Sequence, residues 1–317
     1  MSTQRFRRAA PTPADIAKQI TSGLGGAITV GPDYIDIPLA NDADLADLQA
    51  YMTFAGFAFV QSAPTTSVFA SATPQGHVDS LALGYFSATE VTIAAGTARA
   101  VSNDFDIILT TPLLTLDITD AGVNGLDTGV EAPDTWYAVY LIGDSTLTNP
   151  TAGLLSTNFA GPVLPAGYDK YRRVGCVRND GAGDFIPFRQ IGADCLRRYY
   201  LDLTPATSQV LAAGADAIFT DVDLSAFVPP TAPQALLLAE FSAGVLGAVG
   251  DELLLRPNGF FASVAAAPVT LRAIVTLAAF MSQQVVLACP GQIIEYRVTD
   301  AVNNTANLSV IGFDDVL

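Results

Sequence analysis

The chain has 317 residues, with 15 Lys+Arg against 31 Asp+Glu and a formal net charge of −16. Gripping nucleic-acid phosphates takes a clustered positive field, so this balance excludes a generic nucleic-acid binder. Half the residues are hydrophobic and only 15% are charged, which excludes a disordered chain and points to about two domains, with room for a small third piece.

The opening, Met1 to Ile16, carries Arg5, Arg7 and Arg8 but no following apolar run of the length a signal peptide needs. Synthesis in the cytosol is the expectation. Thr12, Pro13 and Asp15 then suit a helix start, and Ile16, Ile20 and Leu24 recur every four residues, so a short amphipathic helix is expected from Thr12 to Gly23. Tyr34–Ile37 alternates as a strand stopped by Pro38. Asn41 or Asp42 caps a second helix with Leu45, Leu48 and Met52 on one face and Gly56 just past its end, and Phe57–Val60 reads as a strand. Residues 1–62 therefore read as a basic arm with a small strand-helix-strand unit.

Beyond Pro64 the pattern becomes short alternating or apolar runs bounded by Gly, Pro, Asn and Asp. Strands are expected at Leu81–Phe86, Glu90–Ile93, Asp106–Thr110, Leu113–Ile118, Trp136–Ile142, Tyr171–Val177 and Phe185–Phe188. A second set follows Arg197: Tyr199–Leu203, Ala217–Asp223, Ala235–Glu240, Glu252–Leu255, Val269–Leu277, Gln284–Leu287, Ile293–Val298 and Leu308–Ile311. The fold class is mainly β: the N-terminal unit, then two antiparallel β-sandwich, jelly-roll-like domains at 63–196 and 197–317. The uncharged stretch Ala273–Cys289 is interrupted by Gln283 and Gln284 and ended by Pro290. It falls short of the ~20 apolar residues of a membrane helix, and a pair of buried strands is expected there.

Groups able to run chemistry are few. His77 is the only histidine, in the polar loop Pro74–His77, where a solvated role is the ordinary one. Without a second His or a close Cys pair, catalytic zinc and Ser-His-Asp mechanisms lack their parts, and no Walker A or GxGxxG sequence follows a strand. Cys176, Cys195 and Cys289 are odd in number and far apart, reading as small buried apolar residues. The carboxylate pairs Asp104/Asp106, Asp221/Asp223 and Asp314/Asp315 are candidates for glycoside hydrolysis, but nothing raises the pKa of one member as an acid catalyst requires. The Asn179–Asp184 loop offers oxygens without EF-hand spacing and reads as a hairpin turn. No catalytic, cofactor-binding or metal-binding residue is assigned.

One charge feature stands out. Of 13 Arg, six lie between Arg172 and Arg198, and three more are Arg5, Arg7 and Arg8 in the arm. Because the guanidinium fork matches carboxylates, Arg5, Arg7, Arg8, Arg172, Arg173 and Arg178 are expected to meet the acidic face of a neighbouring copy or another subunit. Solubilising charge on strand edges is the plainer alternative.

The stretch Trp136-Tyr137-Ala138-Val139-Tyr140-Leu141-Ile142, then Leu164-Pro165-Ala166-Gly167-Tyr168, Tyr171-Arg172-Arg173-Val174-Gly175 and Phe185-Ile186-Pro187-Phe188-Arg189-Gln190, resembles a segment of tail-fibre and other virion proteins of tailed bacteriophages. The ending, Gly291–Val298 and Leu308–Asp314, is similar to the last strands of a β-sandwich in such proteins. The resemblance implies a non-enzymatic virion component, a fibre, tail-associated or head-decoration protein acting in attachment or particle assembly, made in the host cytoplasm and located in the virion. It also implies a homotrimer whose partners are other virion proteins (capsid, portal, tail or fibre) and a host surface glycan, with no nucleic acid and no membrane span. Residues 1–62 would attach and residues 197–317 project. The competing reading is a carbohydrate-binding or carbohydrate-cleaving surface protein, which needs exposed aromatics beside a carboxylate pair; Trp136, the only Trp, instead sits inside a strand pattern.

Overall fold

The computed structural model describes residues 29–30, 35–36, 74–192, 195–244, 250–259, 269–272 and 279–317. Residues 1–70 and 71–317 form two compact units. In the first, β1 (Thr29–Val30) and β2 (Ile35–Asp36) pair antiparallel, β2 falling inside the strand expected at Tyr34–Ile37. The expected helices at 12–23 and 42–56, the strand at 57–60, and Arg5, Arg7 and Arg8 lie outside the described residues.

The second unit is mainly β and antiparallel. Its strands are β3 (Val78–Ser80), β4 (Leu83–Tyr85), β5 (Glu90–Arg99), β6 (Asp106–Asp117), β7 (Trp136–Gly143), β8 (Ala152–Ser156), β9 (Lys170–Arg178), β10 (Phe188–Ile191), β11 (Leu196–Leu201) and β12 (Gln209–Gly214). There follow β13 (Thr220–Asp223), β14 (Gln234–Ala243), β15 (Glu252–Pro257), β16 (Val269–Arg272), β17 (Ala279–Ala288), a 3₁₀ turn at Pro290–Gln292, β18 (Ile293–Val298) and β19 (Asn304–Val316). Among the described residues no helix is long and apolar enough to cross a membrane.

Three sheets result. A ten-stranded sheet runs β17-β14-β19-β11-β10-β4-β5-β3, with β6 on β5 and β12 on β19; a four-stranded sheet runs β13-β18-β15-β16, and a three-stranded one β8-β7-β9. One hydrophobic cluster draws on all three, including Ile93, Tyr137, Val139, Leu237, Leu253, Ile294 and Phe313. The ten-stranded sheet carries main-chain hydrogen bonds across the 196/197 boundary expected between sandwiches, because β11 pairs with β10 on one side and β19 on the other.

Local chemistry explains where strands differ from expectation. Asp106–Thr110 and Leu113–Ile118 are one strand, β6. Proline has no ladder N–H, and Pro112 sits where β6 slips against β5 between the pairs Gly96↔Leu109 and Ala94↔Leu113. The strand β8 escapes the alternation rule because all five of its residues are buried, and β12 because its second half is Ala-Ala-Gly, without large side chains to mark a pleat. The Ala273–Cys289 stretch corrects a different expectation. Of it, the described β17 is an edge strand, with Val285 and Leu287 buried but Phe280 and Val286 exposed.

Candidate functional site: an arginine–aspartate junction

The charge-bearing centre of the described unit forms where β9, β11 and β19 meet. In antiparallel register Arg197 lies opposite Asp315 and Arg198 opposite Asp314. Neighbouring residues on a strand point to opposite faces, so the two Arg-Asp rows serve opposite sides of the sheet. On one side Arg198 grips Asp314 with two parallel bonds of 2.7 Å, Nε to Oδ1 and Nη2 to Oδ2. That hydrogen-bonded carboxylate raises the Arg198 pKa above its ordinary value.

On the other side Asp315 has no solvent exposure. Its Oδ2 accepts from Arg173 Nη1 at 2.7 Å and lies 3.6 Å from Cys176 Sγ, while its Oδ1 accepts from Thr231 Oγ1 at 2.7 Å. Arg173 Nη2 also donates to the Val316 carbonyl. Burial works against the Arg173 charge, yet the adjoining Asp315 carboxylate outweighs it and the pKa is raised. The Cys176 thiol is pushed well above its usual value by burial first and then by Asp315, which makes it a poor nucleophile.

A bulge lets β9 supply both contacts. Arg173 and Cys176 are three positions apart and would face opposite sides of a regular strand. Between the pairs Val139↔Gly175 and Tyr140↔Arg173, β9 holds one extra residue, Val174. That residue restores the parity, so both side chains reach Asp315.

Arg197, with no solvent exposure, donates to the Leu81 and Ser80 carbonyls, each at 2.6 Å. Those residues hold consecutive left-handed backbone angles, φ 60° and 55°, a conformation that costs non-glycine residues about 1–2 kcal/mol each. The guanidinium captures both carbonyls of this strained corner between β3 and β4. Beside it Tyr199 stacks on Phe313 at 4.8 Å, and Trp136 meets Phe313 edge-on at 5.4 Å. The Tyr199 hydroxyl is buried and lies against the Cys176 backbone amide without meeting hydrogen-bond geometry. The aromatic-lined cavity beside it has room for about one water molecule. A Cβ on Gly175 would stand 2.4 Å from the Tyr199 oxygen, so any larger residue there forces Tyr199 or Leu83 to shift.

No family model and no curated protein sequence matches the chain.

Of the arginines expected at an intermolecular interface, the three described ones, Arg172, Arg173 and Arg178, make contacts within the chain. Besides Arg173, Arg172 donates to the Gly76 carbonyl at 3.2 Å and its charge is disfavoured by burial. Arg178 reaches Asp134 Oδ1 at 3.3 Å, lies 5.8 Å from the Phe227 ring, and is likewise lowered by burial. Two arginines of the basic strip, Arg173 and Arg198, find their acidic partners in the chain's own Asp315 and Asp314. Of the other carboxylate pairs, Asp106 binds Arg99 at 3.0 Å, Asp104 binds Lys170 at 2.6 Å, and Asp223 caps the Ser225 amide at 2.8 Å. Asp180 closes the 179–184 turn by accepting from the Ala182 and Asp184 amides. His77 closes its own turn, its amide donating to the Pro74 carbonyl. The cysteines are free; Cys176 and Cys289 are buried and Cys195 is half-buried.

Sequence reasoning noted Asp314/Asp315 and Arg197/Arg198 separately and missed that they pair. The available signal was a matched doublet, two basic and two acidic residues each set in an apolar strand. It also missed Asp144, whose carboxylate accepts from the Thr146, Thr148 and Asn149 amides and from the Thr146 hydroxyl. These bonds hold its pKa well below the usual carboxylate range.

Proposed function

We propose that the chain is a non-enzymatic structural component of a tailed-phage virion, a fibre, tail-associated or head-decoration protein that acts in attachment or assembly. The supporting observation is where the charged chemistry goes: Arg173, Arg197, Arg198, Asp314 and Asp315 are spent on joining strands. The Arg173–Asp315 pair ties β9 of the three-stranded sheet to β19 of the ten-stranded one, while the Arg197 and Arg198 contacts brace the long sheet itself, a use of charge that suits a structural role. The similarity of the segment from Trp136 to Gln190 to virion proteins supplies the setting. In this reading the chain assembles as a homotrimer, residues 1–62 attach it to the particle, and the jelly-roll-like region 197–317 projects outward.

Particle incorporation tests it. The full chain is expected to co-purify with assembled particles and a chain lacking residues 1–62 to be left behind; a truncated chain that still incorporates at full occupancy refutes the attachment role.

A further inference from the structure

We propose that β17 is the contact strand for a second copy of this chain, paired antiparallel about a two-fold axis at Gln283. Among the described residues β17 hydrogen-bonds only to β14, over ten consecutive register pairs without a slip. Natural edge strands are blunted by charge, proline, bulges or shortness. The sequence Phe280-Met281-Ser282-Gln283-Gln284-Val285-Val286-Leu287 has none of these. Ser282, Gln283 and Gln284 are exposed in succession, so both faces of the strand meet solvent at its centre.

The occupant follows from the spacing of the exposed apolar side chains. Phe280 is 64% exposed and Val286 47%. They stand three residues either side of Gln283 and on the same face, across from Ser242 and Leu236 of β14. A two-fold axis perpendicular to the sheet keeps each face continuous, so it must pass through a residue rather than a peptide bond. Centred on Gln283, it sets each Phe280 opposite the partner's Val286, each Ser282 opposite the partner's Gln284, and Met281 opposite the partner's Val285. Aromatic–β-branched pairs are among the favourable cross-strand combinations. Centred one residue later, the axis would set Phe280 against Ala288 and Val286 against Ser282, leaving both apolar groups unmatched.

Charge permits the same surface. Two copies of a −16 chain repel, but β17 carries no charged residue, and the acidic side chain beside it across the ladder is Glu240, opposite Ser282, so little like charge meets at the strand itself. Added salt should therefore strengthen the pair by screening the remainder. The contact goes beyond the proposed virion role and does not depend on it. A two-fold contact makes pairs, of single chains or of trimers packed through another surface, so the expected mass is two chains or six.

The test uses the full chain in three variants, each adding one cysteine. Gln283→Cys is expected to form a disulfide-linked pair with itself on mild oxidation, because directly opposed residues lie within disulfide reach. Ser282→Cys and Gln284→Cys should each stay uncrosslinked alone and link when mixed. The unsubstituted chain, with its three native cysteines, sets the background. Light scattering of the native chain at two concentrations should give two or six times 33.0 kDa, and Val286→Lys should halve it. A mass of one or three chains at every concentration overturns the proposal. So does crosslinking of Ser282→Cys or Gln284→Cys to itself as readily as Gln283→Cys. Failure here leaves particle incorporation untouched, and the reverse holds.

Discussion

Removing the charge from either end of the Arg173–Asp315 pair should expose how unequal its two partners are. In Asp315→Leu the Arg173 guanidinium keeps the Val316 carbonyl and its side chain is 12% exposed, so the expected cost sits near the low end of the range for a broken buried pair, about 3 kcal/mol. In Arg173→Met the Asp315 carboxylate, with no exposure, is left with the Thr231 hydroxyl and the Cys176 thiol, and the cost should approach about 5 kcal/mol. The double variant removes both charges and should cost only about 1–2 kcal/mol, far less than the singles combined. Urea unfolding of all four proteins, with a common slope, reads these values directly. Single-variant costs that simply add, or an Arg173→Met cost below about 1 kcal/mol, would refute the role given to the pair.

Gly175→Ala drives a Cβ to 2.4 Å from the Tyr199 oxygen and 2.5 Å from Leu83 Cδ1 and should cost about 1–3 kcal/mol in thermal unfolding. Tyr199→Phe, which removes a buried hydroxyl that meets no hydrogen-bond geometry among the described residues, should be neutral or slightly stabilising and should soften the Gly175→Ala defect; a Tyr199→Phe loss above about 1 kcal/mol would mean the hydroxyl is satisfied after all. Asp144 titrates in the folded protein below its ordinary value of 3.8, chiefly through the Thr146 hydroxyl and the Asn149 and Thr146 amides. Its depressed pKa makes a contribution present above that value and lost as pH falls below it. The stability gap between native and Asp144→Ala proteins, followed by chemical unfolding over a pH series, should therefore narrow toward acid; a constant gap contradicts the assignment.

The sequence carried the β character clearly, because turn residues and short apolar runs are local signals. Ile293–Val298 was legible to the residue, and Trp136–Ile142 fell one residue short of β7. Strands without alternation were harder, since β8 is buried on both faces and nothing polar marks its pleat. The junction was hidden for a different reason. Pairing of Arg198 with Asp314 depends on a register between strands more than a hundred residues apart, and the convergence of Arg173 and Cys176 depends on one bulged residue, Val174. Neither separation nor bulge has a local signature. The edge position of β17 was likewise a property of the sheet, because an uncharged run reads the same whether neighbours flank it on one side or both.

The strand β19 bonds to β11, β12 and β14, and the ribosome makes it after every one of them. Until it emerges, the β10–β11 hairpin and the β14–β17 pair must each wait with an open side, and Arg198 lacks its Asp314 carboxylate. Closure then joins segments distant in sequence, the kind of pairing that is slow to form. During that interval the nascent chain would offer several unsatisfied strand edges to its neighbours on the same message, so chaperone demand and crowding, rather than final stability, would govern how much of it reaches the finished form.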